Sequence, residues 1–343
     1  MPSKGPYPPT VAGLGGTPTT NLDDPITSVF LVLFIMMAAV HMTILQINNR
    51  RGKKFLMSGM LFGFCMARIT TCTMRLVWST HQHNISVAIA AQVFVAAGVI
   101  LLFVINLIFT QRILRASHPH WAWANWFSVA FKLYYASIVF MLIALITCTV
   151  QSFFTLSHNT RRIDRDVQRV GGTYFAVAAF LPIPLMLLLV ILPKSSRTEK
   201  FGQGRFRTKI YVVAVSALLL SLGAFFRSGT AYVPRPRANP AWYHSKACFY
   251  IFNFTIELLV VALYAIIRVD KRFHVPNGSH KPGDYSGTNA EISRKPSLVE
   301  RVLSEEEVFD DEAPQMEKAT MNLDVEANAG MAESTPAATS ATR

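Results

Sequence analysis

Charged residues are scarce in this sequence, at 15% of 343 residues, whereas hydrophobic residues make up 51%. Soluble globular domains carry about 25% charged residues, so this composition argues against an ordinary soluble protein. Cysteine is also scarce, and all four cysteines fall inside or at the ends of apolar runs, which argues against a disulfide framework. Because residues 1–20 contain no apolar segment, we expect no cleavable signal peptide and expect the first apolar run to direct insertion.

The abundant feature is apolar sequence, arranged in seven long runs. The runs lie at roughly residues 25–47, 54–78, 86–110, 126–152, 170–193, 208–230 and 246–268. Each is long enough to form a helix that crosses about 30 Å of hydrocarbon. Seven buried helices of a soluble protein would need a polar outer face, which these runs lack. We therefore predict an all-α polytopic membrane protein, with a bundle of seven transmembrane helices over residues 25–273.

The two tails differ from these runs in composition. Both are rich in Pro, Gly, Ser, Ala or charge, so we predict that residues 1–24 form a disordered extracellular segment and residues 274–343 a disordered acidic cytosolic tail. Ser297 and Ser304 stand in weak kinase-site patterns, since Arg294 precedes the first by three residues and three glutamates follow the second. A cytosolic partner of the tail is one interpretation of these patterns.

The positive charge lies mainly beside the apolar runs. Residues 1–269 hold 25 Lys and Arg against 6 Asp and Glu, and the loops of one side carry 15 positive residues against 8 on the other. The positive-inside rule then predicts an outer N-terminus and an inner C-terminus, and we expect the plasma membrane rather than an internal one. The segment RRIDRDVQR is the exception, because it places four arginines outside. No basic stripe interleaved with aromatic residues predicts a nucleic-acid partner.

Several chemistries lack the residues that they need. A retinal protein needs a lysine in the middle of the seventh helix, and the only lysine of that run is Lys246 at its outer end. Zinc-dependent seven-helix hydrolases need histidines that face inward from several helices, but the seventh run has none. No GxSxG motif, P-loop or usable carboxylate pair occurs. We therefore predict a protein that is not an enzyme and that has no cofactor or metal.

Two arginines interrupt the second apolar run, FGFCMARITTCTMRLVW. Arg68 and Arg75 are seven residues apart, almost two helical turns, and so lie on one face. A charge in mid-bilayer costs at least about 2.5–3.5 kcal/mol and usually has a partner. We expect Arg68 to need such a partner and expect Arg75, nearer the surface, to reach the interface.

Glu257 is the only acidic residue inside an apolar run, and its predicted depth matches that of Arg68. Arg227, near the outer end of the sixth run, is a second candidate partner. Tyr250 and Asn253 share the helical face of Glu257. In the third run, Gln92 and Asn106 are separated by a multiple of seven residues. We interpret these two amides as an intramembrane polar network.

These residues allow two interpretations, which the sequence leaves open. In one, Arg68 and Glu257 lock the helices together, and the amides are interhelical hydrogen-bond partners. In the other, Arg68, Arg75, Arg227, Glu257, Asn253 and Tyr250 line an outward-opening cavity. Three arginines against one carboxylate would suit an anionic ligand or lipid headgroup.

Three blocks of sequence carry a resemblance to a known family: LFGFCMARITTCTMRLVW, the stretch from AIAAQVFVAAG to SHPHW, and WYHSKACFYIFNF with RVDKRFHVPNGS. They resemble an uncharacterised family of seven-transmembrane proteins from filamentous fungi, sometimes labelled family C receptor-like, over roughly residues 25–280. The chain is more weakly similar to RTA-like lipid-translocating exporters, which also have seven spans with Arg and Glu inside them. Neither resemblance assigns a role to a residue.

Our leading functional hypothesis is a membrane protein that binds or translocates a small amphipathic or anionic molecule, such as a lipid. The alternative is a receptor-like sensor, in which a ligand at the same residues repacks the helices. Transport predicts a polar path that continues inward past Glu257, whereas sensing predicts a closed inner half. A non-catalytic scaffold is a third hypothesis.

Overall fold

The computed structural model describes residues 5–9, 11–192 and 198–286. Within these ranges the protein is helical, with an isolated β-bridge between Val11 and Pro236 and no strand. Seven helices are long and apolar enough to cross a membrane by length and composition. The prediction of an all-α chain with seven membrane-span-like helices is therefore confirmed. The direction of the termini relative to the membrane stays a prediction.

The seven helices alternate in direction and are named here in chain order. They are α1 Asp23–Arg50, α2 Leu56–Thr80, α3 Ile85–Gly98 with Ile100–Ser117, α4 Asn125–Phe154, α5 His158–Phe180 with Pro182–Ile191, α6 Phe206–Tyr232, and α7 Lys246–Tyr250 with a π-helical turn Ile251–Thr255 and Ile256–Ile266. Short helices follow α3 and α7, at Pro119–Ala122 and Val269–Arg272. We call the end of the bundle where α1, α3, α5 and α7 begin the N-terminal face, and the other end the C-terminal face.

The interruption in α5 has a cause in the sequence. Pro182 has no backbone N–H to donate to the preceding turn, so the helix stops at Phe180 and a new segment begins at Pro182. The FLPIPLM stretch therefore interrupts the helix at Leu181.

Most of the surface of α4 faces away from the bundle. Of the most apolar window of α4, only 6% is buried inside the protein, against 56% for α3. The exposed side chains of α4 include Leu133, Phe140 and Ile143. Because a soluble protein rarely leaves so large an apolar patch in water, this surface is suited to contact lipid. The buried core lies between α2, α3, α6 and α7, where the charged residues of interest are also found.

Helix α5 begins earlier than the sequence indicated. We predicted a span over 170–193, but the helix starts at His158, and the hydroxyl of Ser157 caps it by accepting the backbone N–H of Thr160 at 3.5 Å. The RRIDRDVQR segment therefore lies in the first turns of a helix and not in a loop. The helical geometry therefore sets the direction of each of its arginines around the helix axis.

The N-terminal segment differs from our expectation of disorder. Its described residues lie on the N-terminal face, where the backbone N–H groups of Tyr7, Ala12 and Gly15 donate to the carbonyls of Phe153, Arg235 and His244 at 2.7, 2.9 and 3.1 Å. Pairing of main-chain groups with the end of α4, the loop after α6 and the short helical turn before α7 gives the segment a defined place. Beyond α7, Tyr285 is buried, although we expected disorder from residue 274. Ser297 and Ser304 lie outside the described residues.

Gly15 offers a test of how the N-terminal segment is held. Its φ of +74° is strained for any other residue, and a Cβ there would lie 2.6 Å from the Phe249 ring. Gly15→Val should therefore cost at least about 1–2 kcal/mol and release the segment. We expect faster deuterium exchange over residues 5–19 in detergent.

Gly13→Ala is the matched control, because no atom lies within 4 Å of a Cβ built there. Equal exchange in the two variants would show that the segment is not held by this contact.

Candidate functional site

Arg68 of α2 and Glu257 of α7 form a buried ion pair. The Arg68 Nε donates to Oε2 of Glu257 at 2.5 Å, and its Nη2 donates to Oε1 at 2.9 Å. The two side chains are 0% and 1% exposed. This fork geometry is the strong form of an arginine–carboxylate contact. The two residues whose depths match in the sequence thus lie side by side.

Helix α3 supplies the remaining acceptors for Arg68. The Nη1 and Nη2 groups both donate to the carbonyl of Val95 at 3.1 Å. This carbonyl is available because α3 is interrupted at Val99, whose backbone N–H points to Ala97 instead of Val95. Gly98 lies against Arg68, since a Cβ there would be 3.4 Å from the Arg68 Nη1. Acceptors on α3 and α7 therefore bind the N–H groups of the Arg68 guanidinium together.

Arg227 of α6 is the second cation at Glu257. Its Nη1 lies 3.4 Å from Oε1 of Glu257 and donates to the carbonyl of Phe252 at 3.2 Å and to Oδ1 of Asn253 at 3.4 Å. The carbonyl belongs to the π-helical turn of α7, a feature often found at functional sites. The contacts of Arg227 are longer than those of Arg68, and its side chain is 19% exposed. Arg227 therefore has capacity for a further partner.

A second group of charges lies nearer the N-terminal face. Arg75 Nη2 donates to Oδ1 of Asp23 at 2.8 Å, Lys246 Nζ contacts Oδ2 of the same carboxylate, and the Tyr250 hydroxyl donates to Oδ1 at 2.8 Å. Arg75 Nη2 also donates to the Gly15 carbonyl at 3.3 Å. Arg75 is thus buried between α1 and α7 and does not reach for the interface.

The sequence reasoning missed Asp23 because it assigned residues 1–24 to a disordered segment. One signal could have found it. Arg68 and Arg75 each need a carboxylate, the runs contain only Glu257, and Asp23 stands at the start of the first run on the same side. A carboxylate is also favoured in the first turn of a helix.

Both charged groups hold two cations for each carboxylate. Arg68 and Arg227 share Glu257, and Arg75 and Lys246 share Asp23. Each group is therefore left with a net charge of one positive unit in a region of low dielectric. Such an arrangement attracts an anion.

A cavity of about 770 Å³ opens beside both groups, under the N-terminal segment. Its cationic lining residues are Arg75, Arg227, Arg237 and Lys246, and no Asp or Glu lines it in the described part of the chain. Apolar side chains of α3 and α7 form much of its wall, namely Ile85, Ala88, Ala91, Val95 and Phe249. The cavity combines positive charge with apolar surface, as a site for an amphipathic anion requires.

A second cavity, of about 420 Å³, adjoins the first. The two share Arg227, Gln92, His244 and residues 8, 9 and 11–14 of the N-terminal segment. His244 is buried, and its Nδ1 has no hydrogen-bond partner within the described residues. Burial, and to a smaller extent the positive charge of Arg235, lowers the pKa of His244 below its usual value. Its ring is thus neutral near pH 7 and adds no charge.

The two amides that we grouped as one network are separate. Asn106 Oδ1 accepts hydrogen bonds from the Ser216 hydroxyl at 2.9 Å and from the Tyr264 hydroxyl, which joins α3, α6 and α7 in the C-terminal half. Gln92 lines both cavities and makes no side-chain hydrogen bond in the ranges that the structure covers. Asn106 is therefore part of the packing, whereas Gln92 is available to a ligand.

The ends of α1 and α7 are tied at the C-terminal face by a contact that the sequence did not indicate. Asn48 Nδ2 donates to Asp270 Oδ2 at 3.1 Å, and Arg268 donates to both carboxylate oxygens at 2.9 Å. Although burial raises the pKa of Asp270, these hydrogen bonds hold it below its usual range. A lowered pKa means that the contact stabilises the fold above about pH 4 and is lost in stronger acid.

Comparison with known proteins gives one finding. A family model described as a protein of unknown function (DUF3112) matches residues 198–274. The match covers α6 and α7, which carry Arg227, Lys246 and Glu257, but not the helices of Arg68 and Asp23. No curated protein and no solved structure matches the chain. The chain is thus similar to this family over two of its seven helices.

Asp23 tests the charge balance of the outer group. Asp23→Asn removes the only carboxylate that contacts Arg75 and Lys246 among the described residues, so a buried cation loses its counter-charge. The free energy of unfolding should fall by about 3–5 kcal/mol, measured by denaturant titration in mixed micelles.

Asp24→Asn changes the net charge equally at the neighbouring position, which forms no ion pair in the described residues. It should alter stability by less than about 0.5 kcal/mol. Equal losses in the two variants would contradict the pairing.

Proposed function

We propose that the protein is an integral membrane protein that binds a small anionic amphipathic molecule, such as a lipid, in the cavity at the N-terminal face, and translocates it. The observation that carries the proposal is the lining of this cavity, where four cationic side chains face apolar walls without a carboxylate among the described lining residues. A volume of about 770 Å³ falls within the range of small-molecule sites, roughly 300–1,000 Å³.

The charge balance supports an anionic ligand in particular. A charge held inside a membrane protein is costly unless it is paired. Here two carboxylates are shared among four cations. An anion in the cavity would supply the missing negative charge beside Arg227 and Lys246. A neutral ligand would leave the excess uncompensated.

The resemblances noted in the sequence agree with this proposal. The weaker resemblance to RTA-like lipid-translocating exporters favours a ligand taken from the bilayer, whereas the resemblance to the uncharacterised fungal family favours no particular ligand. We propose a non-enzymatic role in the plasma membrane, with the C-terminal tail as a contact for a cytosolic partner.

A receptor-like sensor is the second candidate, and one observation favours it. Between the level of Glu257 and that of Asn106 lies a layer of apolar side chains, Phe64, Leu102, Leu220 and Val261, each no more than 1% exposed. None of these four residues lines either of the two cavities at the N-terminal face. A closed inner half is what sensing predicts, whereas translocation requires the layer to open.

A pair of lipids tests the ligand class. We expect the full chain in neutral detergent to bind dioctanoyl phosphatidylglycerol at least about tenfold tighter than the zwitterionic dioctanoyl phosphatidylcholine, because a charge-assisted contact contributes about 1.5–3 kcal/mol. Arg237→Glu should weaken phosphatidylglycerol binding about tenfold by like-charge repulsion.

Arg235→Glu is the matched control, since Arg235 lies two residues away and does not line the cavity. Equal affinity for the two lipids, or equal loss in the two variants, would contradict the proposal. In vesicles, transfer of a labelled anionic lipid between leaflets would favour translocation, and binding without transfer would favour the sensor.

A further inference from the structure

Three arginines share one face of the first turns of α5. Arg161, Arg165 and Arg169 are spaced by four residues and so lie above one another along about 12 Å of helix. All three line the second cavity, together with Arg227 of α6. Arg162, which lies between the first two in sequence, does not line it. Three of the four arginines of RRIDRDVQR, the segment that is the exception to the positive-inside rule, thus line a single cavity.

These arginines are incompletely paired. Arg161 Nε donates to the Thr155 carbonyl at 2.8 Å. Arg169 Nε donates to the Ala231 carbonyl at 3.2 Å, and its Nη1 lies 3.4 Å from Asp166, whose carboxylate is 56% exposed. Arg165 forms no hydrogen bond or ion pair within the described residues. Asp164 is buried but lines neither cavity. No carboxylate among the described residues lines this cavity, and its four cationic lining residues, as many as in the first cavity, are all arginines.

The number of arginines indicates the kind of anion. A carboxylate has one charge and two oxygens, which one guanidinium can satisfy in a fork. A phosphate monoester carries about 1.5–2 negative charges at neutral pH and three acceptor oxygens, and so can take several guanidinium groups at once. Arginine is also the residue best matched to phosphate geometry. Four arginines around about 420 Å³ therefore fit a phosphate group.

We infer that the second cavity is a phosphate subsite, and that the ligand of this protein carries two anionic groups, one in each cavity. The shared residues Arg227, Gln92 and His244 lie between the two positions. The inference rests on the proposed function, since the first cavity holds the remainder of the same molecule. It also accounts for the arginines on the N-terminal face, which lie where an anion can neutralise them.

Two lipids that differ by one phosphate test the inference. The full chain in neutral detergent is titrated with dioctanoyl phosphatidylglycerol and with its phosphate ester, dioctanoyl phosphatidylglycerol phosphate. We expect the ester to bind at least about tenfold tighter. Arg165→Glu should remove this gain and leave the affinity for phosphatidylglycerol within about twofold. Arg162→Glu, which makes the same charge change at a nearby position that does not line the cavity, should retain the gain.

Each other outcome has a defined meaning. Equal binding of the two lipids to the natural sequence, or equal loss in Arg165→Glu and Arg162→Glu, overturns the phosphate subsite while the proposed function stands. Failure of both lipids to bind overturns both. If inorganic phosphate competes with the ester as effectively as unlabelled ester does, the second cavity binds a soluble phosphate. That result would overturn the inference that the second anionic group belongs to a lipid.

Discussion

A guanidinium and a carboxylate that are both buried must satisfy each other, and Arg68 and Glu257 do so through two hydrogen bonds. This contact fixes the depth and rotation of α2 against α7. It also places Val95 of α3 and Arg227 of α6 at the same level, because both contact the pair. The N-terminal half of the bundle is thus organised around one ion pair. Burying the pair is itself costly, so its value lies in specifying this one arrangement of helices.

The remaining acceptors for the buried cations are backbone carbonyls, which carry no net charge. The carbonyl of Val95 accepts a hydrogen bond from Arg68, that of Phe252 accepts one from Arg227, and that of Gly15 accepts one from Arg75. The carbonyl of Val95 is available where α3 is interrupted, and that of Phe252 belongs to a π-helical turn. Because neutral groups complete the hydrogen bonding, the positive charge is left in excess. The cavities lie where that excess is accessible, and this connects the packing of the helices to the proposed anionic ligand.

Much of the fold could be predicted from the sequence because it depends on local composition. Seven apolar runs indicate seven helices, and counting residues from a common surface brings Arg68 to the level of Glu257. The features that were missed depend on tertiary contacts. Asp23 acquires its role through contacts with Arg75 of α2 and Lys246 of α7, and α5 extends to His158 through polar sequence that resembles a loop. Gln92 and Asn106 are fourteen residues apart, about 21 Å along a helix, and only the tertiary structure shows that one lies at the cavities and the other among Ser216 and Tyr264.

A double-mutant cycle on Arg68 and Glu257 tests the central claim most directly. The free energy of unfolding is measured in mixed micelles for Arg68→Met, Glu257→Leu and the double variant. We predict that each single change costs about 3–5 kcal/mol, because it leaves a buried charge unpaired, and that the double variant loses less than either. The charge of Arg227 should not destabilise the double variant further, because the Phe252 carbonyl and Asn253 still accept its hydrogen bonds. Additive losses, or single losses below about 0.5 kcal/mol, would show that this pair does not organise the bundle.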